Sequence, residues 1–242
     1  MKAIIIAAGR GSRLLPLTLT MPKCLVRVGT QSIIDHQLDA AYAAGITEAV
    51  VVGGYRIEQV EEHLARRDAR IATTLIFNPF WAISSSIGSV WAAREHLHGG
   101  FMLMNGDTVF DPAVIVTAVQ GAPAGLTLVV EAAAEPDPDD MRVEMIGGRI
   151  SAVGKGLDPA IATHRSLGVV LSSGGDAYAD ALREIIAQPG GTDAYHHAII
   201  ARLASQGVHA LVTDPNARWQ EVDAPADIAR WEVGHHEAAS HR

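Results

Sequence analysis

The chain has 242 residues, a formal net charge of -8 and a hydrophobic fraction of 48%. This length and composition suit one large domain with a full core. The acidic balance argues against a general nucleic-acid binder, because the phosphate backbone selects basic surfaces. We therefore expect no nucleic-acid partner.

The single cysteine and the apolar runs indicate the compartment. Cys24 cannot form an internal disulfide, which fits a reducing environment, and we predict that it is a small buried hydrophobe and not a nucleophile. The first apolar run is too short to span a membrane, and Gly-Arg-Gly-Ser-Arg interrupts it where a signal peptide would continue. These features predict a cytoplasmic protein without membrane contact.

Apolar runs and helical spacings alternate along the first half. The predicted elements are strands at 3–8, 48–52, 71–77 and 101–104, and helices at 31–44, 57–66 and 86–97. Strands that alternate with helices predict a Rossmann-like mixed, mainly parallel sheet flanked by helices.

The rhythm changes after Asp107. The predicted elements there are a helix at 113–119, a strand at 126–132, an acidic loop at 135–140, a hairpin at 143–153, a strand at 167–171, helices at 177–187 and 195–205, a strand at 208–213 and a helix from about 226. No linker separates two domains, so this half is expected to extend the same sheet.

A basic, Gly-rich loop follows the first strand. It has the sequence Gly9-Arg10-Gly11-Ser12-Arg13, and residues 1 to 34 contain five basic and no acidic side chains. Such a loop at the carboxyl end of a strand indicates a phosphate site. It is not a P-loop, and Leu14 stands where a dinucleotide fingerprint needs its third Gly.

The stretch resembles the signature of the nucleotidyltransferases that build nucleotide-sugars and CDP-alcohols. That signature is a strand followed by AAGxGxRLxPLTxxxPKxLxxV, and it is matched here from Ala7 to Val28. The resemblance implies a GT-A-like α/β nucleotidyltransferase fold, in which a substrate phosphate attacks the NTP α-phosphate and releases pyrophosphate. We expect one domain over 1–242, with a nucleotide-binding half at 1–110, an acceptor-binding half at 111–232 and a frayed tail at 233–242.

The same resemblance assigns the nucleotide site. Arg13 is expected to hold the triphosphate and Lys23 the α-phosphate region, and both are catalytic candidates. The implied nucleotide contacts are Ala7, Ala8, Gly9, Gly11, Ser12, Arg13, Lys23, Ser86 and Gly106. We expect Lys23 on an exposed loop, so that Lys23→Ala would abolish turnover and leave the fold intact.

Two aspartates are candidate metal ligands. Asp107 follows a buried strand in Asn105-Gly106-Asp107, where a hard cation prefers a carboxylate. Asp223 lies in a sequence element that resembles the one in which the family carries its second metal ligand. An Asx turn or helix N-cap is the alternative for each of them. The resemblance implies one or two Mg²⁺ ions.

The acceptor side rests on fewer residues. Lysine occurs only at positions 2, 23 and 155, and Lys155 is the third catalytic candidate. The resemblance implies that it lies against the acceptor phosphate. Trp81, Tyr195 and Glu221 are acceptor candidates, and Trp81, Tyr195 and Trp219 could cage a quaternary ammonium. The pairs His196-His197 and His235-His236 lack zinc spacing, so we predict surface or packing histidines.

The predicted partners are an NTP, with CTP favoured, and a small phosphorylated or phosphonate acceptor such as phosphocholine or aminoethylphosphonate. The segment from Asn78 to Trp91 resembles bacterial cytidylyltransferases of that kind. A hexose-1-phosphate nucleotidylyltransferase using UTP, dTTP or GTP is the nearest alternative. A nucleotide-sugar-binding glycosyltransferase, disfavoured because Asp107-Thr108-Val109 is not a D-x-D motif, and a non-catalytic nucleotide sensor belong to other classes. The sequence leaves the oligomeric state open.

Overall fold

A mixed sheet of nine strands forms the framework of the protein. The computed structural model describes residues 1–67, 70–133 and 137–240, with side chains described through residue 233. Its strands are β1 Lys2–Ile6, β2 Arg27–Val28, β3 Gln31–Ser32, β4 Glu48–Gly53, β5 Ala72–Phe77, β6 Phe101–Asn105, β7 Thr108–Phe110, β8 Leu126–Ala132, β9 Arg142–Ile146, β10 Arg149–Val153, β11 His164–Ser172, β12 His209–Val212 and β13 Trp219–Glu221.

The strand order of the large sheet is β5-β4-β1-β6-β11-β8-β12-β10-β9. Strands β5, β4, β1 and β6 are parallel, whereas β11 runs antiparallel to β6 and β8. The predicted mixed sheet is confirmed. It is mainly parallel only in the amino-terminal half, because β11 enters between β6 and β8 in the opposite direction.

Helices cover both faces of this sheet. They are α1 Ile33–Ala43, α2 Ile57–Arg66, α3 Ser86–Ala92, α4 Pro112–Gly121, α5 Ala177–Ile186, α6 His197–Leu203 and α7 Pro225–Ser240. Alternate residues of β1 enter two cores, Ala3 and Ile5 with α1 and α4, and Ile4 and Ile6 with α3, α5 and α6. Burial on both faces explains why β1 is an unbroken apolar run.

The predicted elements differ from the structure mainly at their ends. Helix α3 ends at Ala92 and is followed by a 3-10 turn at Arg94–His96, where one helix was predicted to residue 97. Residues 233–240, predicted as a frayed tail, continue α7. Residues 241–242, Glu135 and Pro136 of the predicted acidic loop, and the side chains of His235 and His236 lie outside the described part.

A small second sheet was not predicted. Strand β7 pairs antiparallel with β13, so that Thr108 lies opposite Glu221 and Phe110 opposite Trp219. The backbone N–H of Val222 also donates to the Asp107 carbonyl at 2.9 Å. This pairing brings the residues that follow β6 next to those that follow β13.

Within the described residues, no helix is both long and apolar enough to cross a membrane. The cellular location and the division into two functional halves stay predictions.

The ends of β1 and β6 approach so closely that only glycine fits between them. A Cβ at Gly106 would lie 2.5 Å from Ala7 Cα and 2.6 Å from the Ile6 carbonyl oxygen. Gly106→Ala should therefore lower the free energy of unfolding by about 1–3 kcal/mol, measured by urea unfolding. The matched control is Gly9→Ala, because a Cβ at Gly9 meets nothing within 4 Å. Equal stability of the two variants would contradict the close approach.

Candidate functional site

A cavity of about 470 Å³ opens at the carboxyl ends of the parallel strands. Its walls include residues that follow β1, β5 and β6, the usual position of a ligand site in such a sheet. The predicted site residues that line it are Ala7, Ala8, Gly9, Arg13, Lys23, Trp81, Ser86, Gly106, Asp107, Lys155, Tyr195 and Glu221. The structure thus brings most of the predicted residues to one place.

Gly11 and Ser12 do not line this cavity. Gly11 has a left-handed backbone (φ 74°), and a Cβ there would lie 2.8–2.9 Å from side-chain carbons of Lys23. The glycine therefore makes room for the lysine stem. A direct contact of Gly11 or Ser12 with the nucleotide stays a prediction.

Lys23 is buried, with only 8% of its surface exposed, and the expectation of an exposed loop residue is wrong. Its ammonium Nζ donates to Asp107 Oδ2 at 2.9 Å and to Asp223 Oδ1 at 2.5 Å. Burial alone would lower the pKa of Lys23, but the two carboxylates outweigh it and raise the pKa. Lys23 is therefore a charged group held between two acids.

A second set of ion pairs extends this arrangement across the cavity. Arg13 donates from Nη1 to Asp139 Oδ2 at 2.5 Å and from Nη2 to Asp223 Oδ2 at 2.7 Å. Lys155 Nζ donates to the other oxygen of Asp139. Hydrogen bonds from Lys155 and then Arg13 lower the pKa of Asp139. Asp139 was not among the predicted site residues, and no spacing rule identifies it, since its partners are remote in sequence.

Three carboxylates form a cluster beside Lys23. Ligand atoms of Asp107, Glu221 and Asp223 all lie within 4.8 Å of one another. Desolvation by the surrounding protein raises the pKa of the Glu221 carboxyl group, and the negative charges of Asp107 and Asp223 raise it further. Glu221, an acceptor candidate that is also a weaker alternative to Asp223 as a metal ligand, lies with the two aspartates because β13 pairs with β7; its role stays a prediction. An all-oxygen, anionic donor set fits a hard divalent cation, and the Lys23 ammonium shows that the cluster accepts a cation.

Of the three aromatic residues that could form a cage, Trp81 and Tyr195 line the cavity and Trp219 does not. The Trp219 indole N–H donates to Glu131 at 2.7 Å and Arg165 covers its ring, so Trp219 is engaged elsewhere. Trp81 packs on Tyr55 with ring centroids 5.3 Å apart. Tyr195 is 50% exposed, and the Lys155 ammonium lies 5.0 Å from the centre of its ring.

The histidines 196 and 197 are buried packing residues that also line the cavity. His196 Nε2 donates to Asn105 Oδ1 at 2.8 Å, and the His196 backbone N–H donates to Ser86 Oγ at 2.9 Å. Burial lowers the pKa of His196 to about 4, so this ring is neutral at pH 7. The prediction that these are packing histidines is confirmed. No sequence pattern indicated that His196 and His197 would line the cavity.

The nucleotidyl transferase family model matches residues 2–138. Since this is more than half of the chain, the protein belongs to the nucleotidyl transferase family. The predicted family is thereby confirmed, and its members are transferases.

Two curated relatives are similar to this chain. A CMP-5'-(3-aminopropyl)phosphonate synthase of Streptomyces rubellomurinus is 28% identical over 235 residues, which cover 93% of this chain and 37% of the relative. A mannose-1-phosphate guanyltransferase of Neurospora crassa is 31% identical over 180 residues, covering 63% of this chain and 48% of the relative. The chain thus spans less than half the length of either relative.

Two solved structures share the fold. The inositol-1-phosphate CTP transferase from T. maritima superposes with a TM-score of 0.78 at 21% identity, covering 96% of this chain and 94% of the other. The CTP:phosphocholine cytidylyltransferase from Streptococcus pneumoniae gives 0.76 at 20% identity, covering 96% and 97%. The predicted GT-A-like nucleotidyltransferase fold is confirmed.

If Asp107 holds a metal, Asp107→Asn should raise the Mg²⁺ concentration needed for half-maximal turnover by about tenfold or more, because a charged ligand becomes neutral. The measurement is a Mg²⁺ titration of pyrophosphate release. Asp180→Asn, an exposed position on α5, is the matched control. An unaltered Mg²⁺ titration of the Asp107 variant would remove this residue from the metal site.

Lys23→Ala should also cost stability, contrary to the expectation from sequence. The variant leaves Asp107 and Asp223 facing each other without their shared cation, which should lower the free energy of unfolding by about 2 kcal/mol or more. Urea unfolding at pH 7 with a chelator tests this. Lys155→Ala removes a more exposed pair, with 32% of the lysine side chain accessible, and should lose less than about 1 kcal/mol. Wild-type stability of the Lys23 variant would contradict the buried pairing.

Proposed function

We propose that this chain is a Mg²⁺-dependent nucleotidyltransferase that joins CTP to a small phosphate or phosphonate acceptor. The observation that supports this most strongly is the convergence of Arg13, Lys23 and Lys155 on one cavity that Asp107 and Glu221 also line, with Asp223 clustered with these two acids and paired with Arg13 and Lys23. Cations beside a carboxylate cluster are what transfer between two anionic phosphates requires.

The chemistry needs charge stabilisation more than proton transfer. An oxygen of the acceptor phosphate attacks the α-phosphorus, a new P–O bond forms, and the bond to the bridging oxygen breaks as pyrophosphate leaves. The second pKa of a phosphate ester is about 6, so the nucleophile is already ionised at pH 7 and needs no general base.

Each cation has a role in this scheme. Lys23 and Arg13 would stabilise the negative charge on the triphosphate, and Lys155 would hold the acceptor phosphate. Asp107, Asp223 and Glu221 would hold Mg²⁺, which when bound neutralises phosphate charge and activates the leaving group. Backbone groups of Ala7, Ala8, Gly9 and Gly106, with Ser86 at the start of α3, would contact the nucleotide.

Two observations favour an acceptor that carries an ammonium. The relative aligned over 93% of this chain is, by name, a CMP-aminopropylphosphonate synthase. In addition, the Tyr195 ring and Asp139 contact one ammonium, that of Lys155, which supports the proposal that this wall binds a cation. Phosphocholine, aminoethylphosphonate and similar acceptors are therefore our first choice.

The second candidate is a hexose-1-phosphate nucleotidylyltransferase. It is supported by the guanyltransferase relative at 31% identity, although that alignment covers only 63% of the chain. The mechanism and the cationic residues would be the same, and the acceptor wall would bind a sugar.

A pyrophosphate-release assay with Mg²⁺ tests the proposal. It crosses four NTPs with phosphocholine, aminoethylphosphonate, phosphoethanolamine, glucose-1-phosphate, mannose-1-phosphate and inositol-1-phosphate. We expect release with CTP and an aminoalkyl acceptor. Lys155→Met should raise the KM of the acceptor about tenfold or more by removing a charged partner of its phosphate, whereas Lys2→Met, whose lysine pairs with Glu48 away from the cavity, should match wild type.

The outcomes separate the candidates. Release with a hexose-1-phosphate and another NTP would overturn the acceptor and the base while keeping the mechanism. Silence across the panel, with folded protein, would overturn the proposed activity.

A further inference from the structure

Lys23 contacts two of the three carboxylates that could hold a divalent cation. Its ammonium contacts Asp107 Oδ2 at 2.9 Å and Asp223 Oδ1 at 2.5 Å, and these two residues belong, with Glu221, to the carboxylate cluster. The other oxygen of Asp223 accepts from Arg13 at 2.7 Å. Both Asp223 oxygens are therefore already engaged by cations of the protein.

The position of this ammonium is set by the backbone. Lys23 opens a short 3-10 turn, Lys23–Leu25, and its stem lies against Gly11. With 8% of the residue exposed, the ammonium has little contact with solvent. A buried ammonium that loses one carboxylate must find another anion, because an unpaired buried charge is costly.

Two cations cannot share these oxygens at low cost. A divalent ion bound by Asp107 and Asp223 would lie within a few ångströms of the ammonium and would be repelled by it. A phosphate group near Lys23 would offer the ammonium a new partner and release the aspartates. Metal and phosphate would then each favour the state that binds the other.

We propose that Lys23 couples the two binding events: its ammonium occupies the carboxylate cluster, a divalent cation must displace it to bind there, and phosphate oxygens ease this displacement by offering the ammonium another partner. This rests on the proposed function, which supplies an NTP as the source of phosphate. Because such coupling is reciprocal, nucleotide tightens metal binding by the same factor as metal tightens nucleotide binding. Lys23 is in this respect a positioning residue for the metal as well as a phosphate ligand.

The first test measures the binding of Mn²⁺ alone. The EPR signal of the free ion reports how much Mn²⁺ stays unbound. Lys23→Met keeps the length of the stem and removes the charge, so it should bind Mn²⁺ about tenfold more tightly than wild type, within the usual range of coupling energies. Lys23→Arg keeps the positive charge and should bind as weakly as wild type.

The matched control is Lys155→Met. Lys155 is another lysine of the cavity, but its ion pair is with Asp139 and not with the cluster, so its variant should stay within about twofold of wild type. The proposal fails if Lys23→Met binds Mn²⁺ no more tightly than wild type. It also fails if Lys155→Met gains as much Mn²⁺ affinity as Lys23→Met, since the effect would then come from net charge in general.

A second test works on the wild-type protein if the variant does not fold. The chain has only three lysines, at 2, 23 and 155, so brief acetylation followed by peptide mass spectrometry reports on each. Lys23 should be protected without metal and acetylated faster in saturating Mn²⁺, with Lys2 as the internal reference. Unchanged protection of Lys23 while Mn²⁺ is bound would overturn the exchange.

Neither test uses CTP, an acceptor or turnover. Absence of cytidylyl transfer would therefore overturn the proposed function and leave the Mn²⁺ results to decide this inference. Conversely, full transferase activity with equal Mn²⁺ affinity in wild type and Lys23→Met would reject only the coupling.

Discussion

A chain of alternating charges joins the two sides of the cavity. Its order is Lys155, Asp139, Arg13, Asp223, Lys23 and Asp107. Three cations close together would repel one another, and the intervening carboxylates remove that penalty. The protein itself therefore positions these cations. Under the proposed function, phosphates that enter would compete with the carboxylates for the cations, and this competition would set how much of the attraction becomes affinity.

Backbone geometry makes this chain of charges attainable. The pairing of β7 with β13 places Glu221 and Val222 beside the turn after β6, and Asp223 follows directly. Gly106 allows the ends of β1 and β6 to meet, and Gly11 allows the Lys23 stem to pass. The electrostatic arrangement thus depends on two glycines and one short strand pair, each of which is a steric or hydrogen-bonding condition with no charge of its own.

The sequence predicted those parts of the molecule that local pattern determines. Buried strands such as β1 and β4 follow from apolar runs, and the spaced signature located Arg13 and Lys23. Tertiary partners escaped this reasoning. Asp139 pairs with Arg13 across 126 positions, the burial of Lys23 depends on two distant aspartates, and Trp219 is turned away by Glu131 and Arg165. A side chain whose environment comes from other elements carries no local signal of that environment.

Strand β11 has a mechanical consequence. It forms hydrogen-bonded pairs with β6 on one side and β8 on the other, so the same sheet continues from the amino-terminal half into the carboxyl-terminal half, with one irregularity in register between Ser166 and Val169. A hinge between the halves would have to break these strand pairs. Adjustments around a ligand therefore fall more readily to the loops and side chains above the edge of the sheet.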